Sequence, residues 1–149
     1  MKNPIKIEEN YKFIGNLLLS SRQSLFMPVI SGIIVNKKTG IPFNFSDTFL
    51  LDTGGSLSIL CPKYESFFDK AHIIDHQNIK YGNCQAKLPV YDISINIQGF
   101  AFDLKAALDN NLTFMVILGN YLFLDQFSSI ILNPKIKKTT ILKKYSTEV

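Results

Sequence analysis

The chain of 149 residues has no tryptophan, a single arginine at position 22 and two cysteines, and each scarcity removes a class of protein. Specific readers of nucleic acid favour clustered arginines interleaved with aromatic side chains. Lys and Arg together number 16 against 12 Asp and Glu, for a net charge of +4, but Arg22 alone gives no such cluster, so no nucleic-acid partner is expected. Cys61 and Cys84 lack Cys-x-x-Cys spacing, and two free thiols in a reducing compartment are the default reading. Long apolar runs are missing as well. Phe114 to Leu118 and Tyr121 to Leu124 fall far short of the ~20 residues that cross a bilayer, so no membrane partner is expected. Near the N-terminus, Glu8 and Glu9 interrupt the basic residues ahead of a brief Leu17-Leu18-Leu19, which makes a poor signal peptide and points to a cytoplasmic protein.

Metal and cofactor chemistry is equally thin. His72 and His76 have the i, i+4 spacing that presents two imidazoles on one helix face, with Asp69 or Asp75 near in sequence. There is no His-Glu-x-x-His and no cysteine pair beside them, so both are read as surface histidines, with no metal and no cofactor expected. No Ser-His-Asp order, glycine-rich phosphate loop or dinucleotide fingerprint occurs. The lysines at 135, 137, 138, 143 and 144 form the densest cationic cluster, read as a solvated tail.

What is present is apolar and alternating. Hydrophobic residues make up 46% of the chain, with twelve Phe and six Tyr, enough for one ordinary core and no second domain. The period is mostly two. Phe26 to Val35 reads as a strand, Asn36 to Gly40 as a turn, and Phe43 to Leu51 as the return strand. Ile93, Ile95 and Ile97 alternate with polar residues, and Gly99 turns that strand into Phe100 to Leu104. Phe114 to Leu118 reads as a central strand, Asn120 to Leu124 as a short helix and Ser128 to Leu132 as a closing strand. The fold class expected is all-β.

The most informative segment is Asp52-Thr53-Gly54-Gly55, delivered by the apolar Phe49-Leu50-Leu51. A buried strand that ends in Asp-Thr-Gly holds a carboxyl group rigidly, while the glycines let a second backbone come close. No other aspartate is followed by Thr-Gly or Ser-Gly. Metal-free peptide hydrolysis by carboxylates needs two of them sharing a proton, so one copy per chain implies two chains.

Phe49 to Ser56, together with Val116-Ile117-Leu118-Gly119-Asn120-Tyr121-Leu122-Phe123-Leu124 downstream, resembles the retropepsin-like (retroviral-type) aspartic proteases. The resemblance runs from about Phe26 to Leu132. It implies a single-domain acid-protease barrel with one short helix, working as a symmetric homodimer on peptide or protein substrates. Asp52 would be the catalytic carboxylate, with Thr53, Gly54 and Gly55 as its loop. The hairpin pattern from Ile79 to Ala86, with Gly82-Asn83 as its turn, falls where the family carries a flap, and the resemblance implies that role for Tyr81, Gly82, Asn83, Cys84 and Gln85. Leu50, Met115 and Ile117 are expected on the substrate pocket walls. Cys84 at an exposed flap tip could be oxidised. The chain departs from the viral pattern in holding Ser56, Leu57 and Asn120 where viral members carry acids and an arginine, which leaves open how the active-site loops are braced. Thr139 to Leu142 is expected as a strand shared between protomers. The corresponding division is 1–25 as N-terminal extension, 26–142 as protease domain and 143–149 as tail. Two alternatives remain: a catalytically weak or inactive dimerisation or peptide-binding module, and a small β-domain in which Asp-Thr-Gly is only a turn.

Overall fold

A computed structural model describes residues 3–14, 25–81, 83–112 and 115–145. In chain order the strands are β1 (Ile5–Asn10), β2 (Lys12–Ile14), β3 (Leu25–Met27), β4 (Val29–Asn36), β5 (Ile41–Pro42), β6 (Asp47–Leu51), β7 (Ser58–Leu60), β8 (Ile73–Tyr81), β9 (Cys84–Ile97), β10 (Phe100–Leu108), β11 (Ile117–Leu118), β12 (Ser129–Asn133) and β13 (Lys138–Lys143). Among the described residues, helical structure is limited to short 3-10 segments at Pro62–Phe67, Lys70–His72 and Leu124–Gln126.

The alternating pattern closes into a barrel. Strand β4 pairs with β6, β6 with β11, β11 with β7, β7 with β10, β10 with β9, and β9 returns to β4, while β5 and β8 extend the sheet beyond the ring. Closure removes most of the open edge that a flat sheet would expose. Ile93, Ile95 and Ile97 on β9 are all fully buried, in one core with Ile34, Phe49 and Phe102; Ile95 stands in register with Ile34 on β4 and Phe102 on β10. Gln98 and Gly99 both adopt positive φ (50° and 86°), the geometry of a tight two-residue turn, and it places Ile97 opposite Phe100. Strand β4 packs against β9 so closely that a Cβ on Gly32 would lie 2.6 Å from the Asn96 carbonyl oxygen. Only glycine allows that approach.

Several expected elements are shorter or displaced. Pro28 divides the first expected strand into β3 and β4. The return strand forms only over Asp47–Leu51; the segment before it bends, with Phe43 packed at a tilt on the buried Tyr64 ring, 4.5 Å between centroids. The central strand contracts to Ile117–Leu118. Leu122 sits at φ 65°, a left-handed conformation that an α-helix cannot pass through, so the expected helix from Asn120 is a turn that ends in the 3-10 segment Leu124–Gln126.

The strand expected to be shared between protomers is instead satisfied within one chain. Strand β13 is the middle of a three-stranded antiparallel sheet, with β1 on one side and β12 on the other. Its Thr139 and Ile141 point inward, and Ile141 pairs in register with the buried Ile7 of β1. Strand β1 alternates Ile5 and Ile7 inward with Lys6 and Glu8 outward, so its apolar side chains extend the inward face of β13 while its backbone pairs with the β13 edge. That leaves β13 no free edge.

Glu9, at the end of β1, ties this sheet to the barrel by accepting the Ser31 N–H at 2.6 Å. Burial pushes its carboxyl above the ordinary carboxylate range, against the smaller opposing pull of that hydrogen bond and of Lys12. An acid whose folded-state value is raised contributes stability that is complete at low pH and lost as pH rises through that raised value. Glu9→Gln keeps an oxygen acceptor for Ser31 but has no charge to desolvate. Chemical denaturation of both proteins between about pH 4 and pH 7 should show the difference in unfolding free energy moving in favour of the variant as pH rises. A constant difference across that range would show that Glu9 has no such role.

Candidate active site

Strand β6 buries Phe49 and Leu51 in the barrel and then stops at Asp52. Its end is pinned from two sides. Leu50 N–H donates to the Val116 carbonyl at 2.9 Å and Asp52 N–H to the Leu118 carbonyl at 3.0 Å, so β11 holds the strand as far as the aspartate itself. Leu51 N–H reaches the Pro28 carbonyl at 3.1 Å. Beyond the strand, Gly55 N–H closes a turn on the Asp52 carbonyl at 3.1 Å, and Gly54 N–H donates to Asp52 Oδ1 at the same distance. A Cβ on Gly55 would stand 2.6 Å from Asp52 Oδ2. The second glycine therefore keeps open the space that the carboxylate occupies.

The loop is braced by the segment that follows β11. Gly119 packs its backbone on that of Leu57, where an added Cβ would come within 2.6 Å of the carbonyl oxygen, and its N–H donates to the fully buried Ser58 hydroxyl at 3.0 Å. The next two N–H groups continue inward, Asn120 to the Gly55 carbonyl at 2.9 Å and Tyr121 to the Ser56 carbonyl at 2.7 Å. Asn120 Nδ2 then donates to the Thr53 carbonyl at 2.5 Å. The neutral Asn120 thus braces the loop through a hydrogen bond from its side-chain amide to backbone, with no charge involved.

A cavity of about 500 Å³ opens beside Asp52. Its floor is Asp52, Gly55 and Ser56; Leu57, Ile59, Ile117 and Tyr121 form an apolar wall; and residues 77–80 of β8 form the opposite side. Strand β8 is one arm of a hairpin with β9 in which Tyr81 pairs with Cys84 across the tip. Asp52, half-buried, lines the cavity, and Thr53 and Gly54 beside it are exposed.

Of the residues expected on the pocket wall, Ile117 lines this cavity. Leu50 and Met115 are half-buried and lie outside its lining; Leu50 stands in register with Ile117 on the neighbouring strand. Asn83 is exposed at the hairpin turn. Gly82 lies outside the described residues, as do the side chains of Tyr81 and Cys84. The sequence reading missed Leu57, Ile59, Tyr121, Gln77 and Asn78, and it placed Ile79 and Lys80 in the hairpin without giving them a place at the pocket. Leu57 and Ile59 share an alternation just past the motif that could have marked them; Ile79 and Lys80 fall in the expected hairpin pattern, whereas nothing local marks Gln77 and Asn78.

The histidine pair does not share a helix face. His72 ends a 3-10 turn and His76 lies in the extended strand β8, so the four-residue spacing separates them. His72 Nδ1 accepts the Asp69 N–H at 3.0 Å and lies 3.2 Å from the Asn36 amide nitrogen, which makes it part of a local cap. No group of three His, Cys, Asp or Glu suited to a metal occurs among the described residues. Cys61 is a buried thiol whose pKa is pushed up by that burial.

No family model matches this sequence, and no curated protein matches it. Solved structures do. The crystal structure of a retropepsin-like aspartic protease from Rickettsia conorii superposes with a TM-score of 0.52 at 20% identity, covering 78% of this chain and 92% of that one. The solution structure of the simian foamy virus (mac) protease gives 0.42 at 17% identity, over 62% of this chain and 88% of that one. A likeness at such identity speaks to architecture, and it rests on the Rickettsia structure. This chain has the retropepsin-like fold.

Proposed function

We propose that the protein is an aspartic endopeptidase in which Asp52 of one protomer and Asp52 of a second copy form the catalytic pair. The observation that carries this reading is the placement of Asp52: a single carboxylate, locked at the end of β6 by backbone hydrogen bonds, on the floor of an open cavity with an apolar wall. One carboxylate cannot both take a proton from water and give one to the carbonyl oxygen. Two brought together across a two-fold axis share one proton, because like charges that close do not both ionise cheaply. The ionised member removes a proton from a water held between them, that water attacks the peptide carbonyl, and the protonated member donates to the developing oxyanion.

In this reading the substrate lies extended between the Asp52 loop and the β8–β9 hairpin, which serves as a flap, and apolar side chains enter beside Leu57, Ile59 and Ile117. Residues 26–142 are the protease domain, 1–25 an extension whose strand β1 pairs with β13, and 143–149 a tail. Its place of action is the cytoplasm, in keeping with Cys61 as a thiol.

Asp52→Asn preserves shape and removes the charge that activates water. Turnover of a denatured protein should fall on the order of 10³-fold or more while the thermal midpoint holds. Cleavage at the wild-type rate by this variant would remove Asp52 from the mechanism. Activity of the wild type should rise steeply with protein concentration in the range where sedimentation shows dimers forming, should decline on both sides of an acidic optimum, and should ignore EDTA.

The two glycines of the site should respond differently. Gly55→Ala crowds the carboxylate itself, so kcat should drop about tenfold or more with little loss of stability. Gly119→Ala drives a methyl into the Leu57 backbone, so the thermal midpoint should fall first. Equal loss of stability in both would show that Gly55 serves only the fold.

A further inference from the structure

Two turns meet at one end of the β1–β13–β12 sheet. The connection from β12 to β13 turns over residues 134–137, with Asn133 Oδ1 accepting the Ile136 N–H at 3.3 Å and Lys137 at φ 53°. The β2–β3 ribbon lies against it. Tyr11 N–H donates to the Lys137 carbonyl at 2.8 Å, the Lys137 ammonium stands 4.0 Å from the centre of the Phe26 ring, and Phe26 meets Phe13 edge to face at 5.6 Å. Ile136 is 60% exposed, Phe13 56% and Phe26 49%. A lone exposed apolar side chain means little. Here Lys137 joins the exposed pair of Phe13 and Phe26 to a turn whose exposed Ile136 lies between Lys135 and Lys137 in the chain, so apolar and cationic side chains are brought together from separate segments.

We propose that this surface docks the protein peripherally on an anionic lipid bilayer, with Ile136 and Phe13 entering the interfacial layer and Lys135 and Lys137 meeting lipid phosphates. Charge complementarity selects this occupant. A second copy of the chain, paired about a two-fold axis here, would set lysine against lysine. Single-stranded nucleic acid would find the charge but little stacking platform, since the two rings meet edge to face and isoleucine has no π face. A bilayer interface asks for apolar side chains beside lysines and for no ring geometry. Glu8 and Glu9, which share a neighbouring cavity with Lys12 and Lys138, are engaged elsewhere: Glu8 with Lys6 at 3.1 Å and Glu9 with the Ser31 N–H. The expectation of no membrane partner came from apolar run length, which detects spanning segments and is blind to apolar residues brought together from separate turns. None of Phe13, Phe26, Lys135, Ile136 or Lys137 lines the Asp52 cavity, so the docking surface stands apart from the catalytic reading.

Flotation of the full chain with vesicles tests the proposal directly. Equimolar phosphatidylcholine and phosphatidylglycerol vesicles should bind the protein about tenfold or more tightly than pure phosphatidylcholine, and high salt should weaken that binding. The double variants Phe13→Ser/Ile136→Ser and Lys135→Glu/Lys137→Glu should each lower it on the order of tenfold, with unchanged circular dichroism melts and unchanged peptide cleavage in the absence of lipid. Absence of binding, equal binding to both vesicle types, or wild-type binding by folded variants would overturn the proposal. So would tighter binding of an oligothymidine strand that displaces the vesicles, which would assign the patch to nucleic acid.

Discussion

The contact between two backbones, Gly119 against Leu57, is the constraint on which the rest of the site depends. Its closeness admits no side chain at position 119. Once it is made, the N–H groups of Gly119, Asn120 and Tyr121 fall within reach of Ser58, Gly55 and Ser56, and the Asn120 amide reaches Thr53. Each such bond is worth about 0.5–1.5 kcal/mol, whereas burying a side chain such as Phe49, Leu51 or Leu118 contributes about 1.5–3 kcal/mol. Burial therefore holds the strands together, and the hydrogen bonds decide where the loop between them points. Asp52 inherits its position from both.

A second constraint concerns the chain's ends. Strand β13 could have been left as an edge seeking a partner, yet it is flanked by β1 and β12, which are themselves the edges of the sheet. The barrel ring and the pairing of β13 in the flanking sheet are thus both satisfied within one chain. Glu9 is the joint between the two, since it leaves the sheet to accept a backbone N–H of β4. That joint is the kind of half-buried charged contact that burial makes costly and hydrogen bonding makes specific.

The cationic and apolar residues sort by surface. Around Asp52 the cavity presents aliphatic side chains and the polar arm of β8, while Ile136, Phe13 and the lysines beside them gather where the β2–β3 ribbon meets the β12–β13 turn. The lysine cluster that reads as a solvated tail belongs, at positions 135 and 137, to a built turn with Asn133 at its base. Composition could report the charge but not what lay against it.

The sequence by itself determined the all-β class, the barrel strands around Ile34, Phe49 and Ile95, and Asp52 with its glycines as the singular feature, because period two and an Asp-Thr-Gly turn are local properties of the chain. Tertiary structure decided what depends on distant segments meeting. Leu122 turns left-handed and cuts short an expected helix, and β13 finds β1 some 130 residues away by register and becomes a central strand. Asn120 proves to brace Thr53, and Gln77 and Asn78 prove to line the Asp52 cavity, although no spacing in the sequence marks either. Burial pattern is written in the order of residues. The identity of the opposing backbone is not, since it is settled only when the barrel closes.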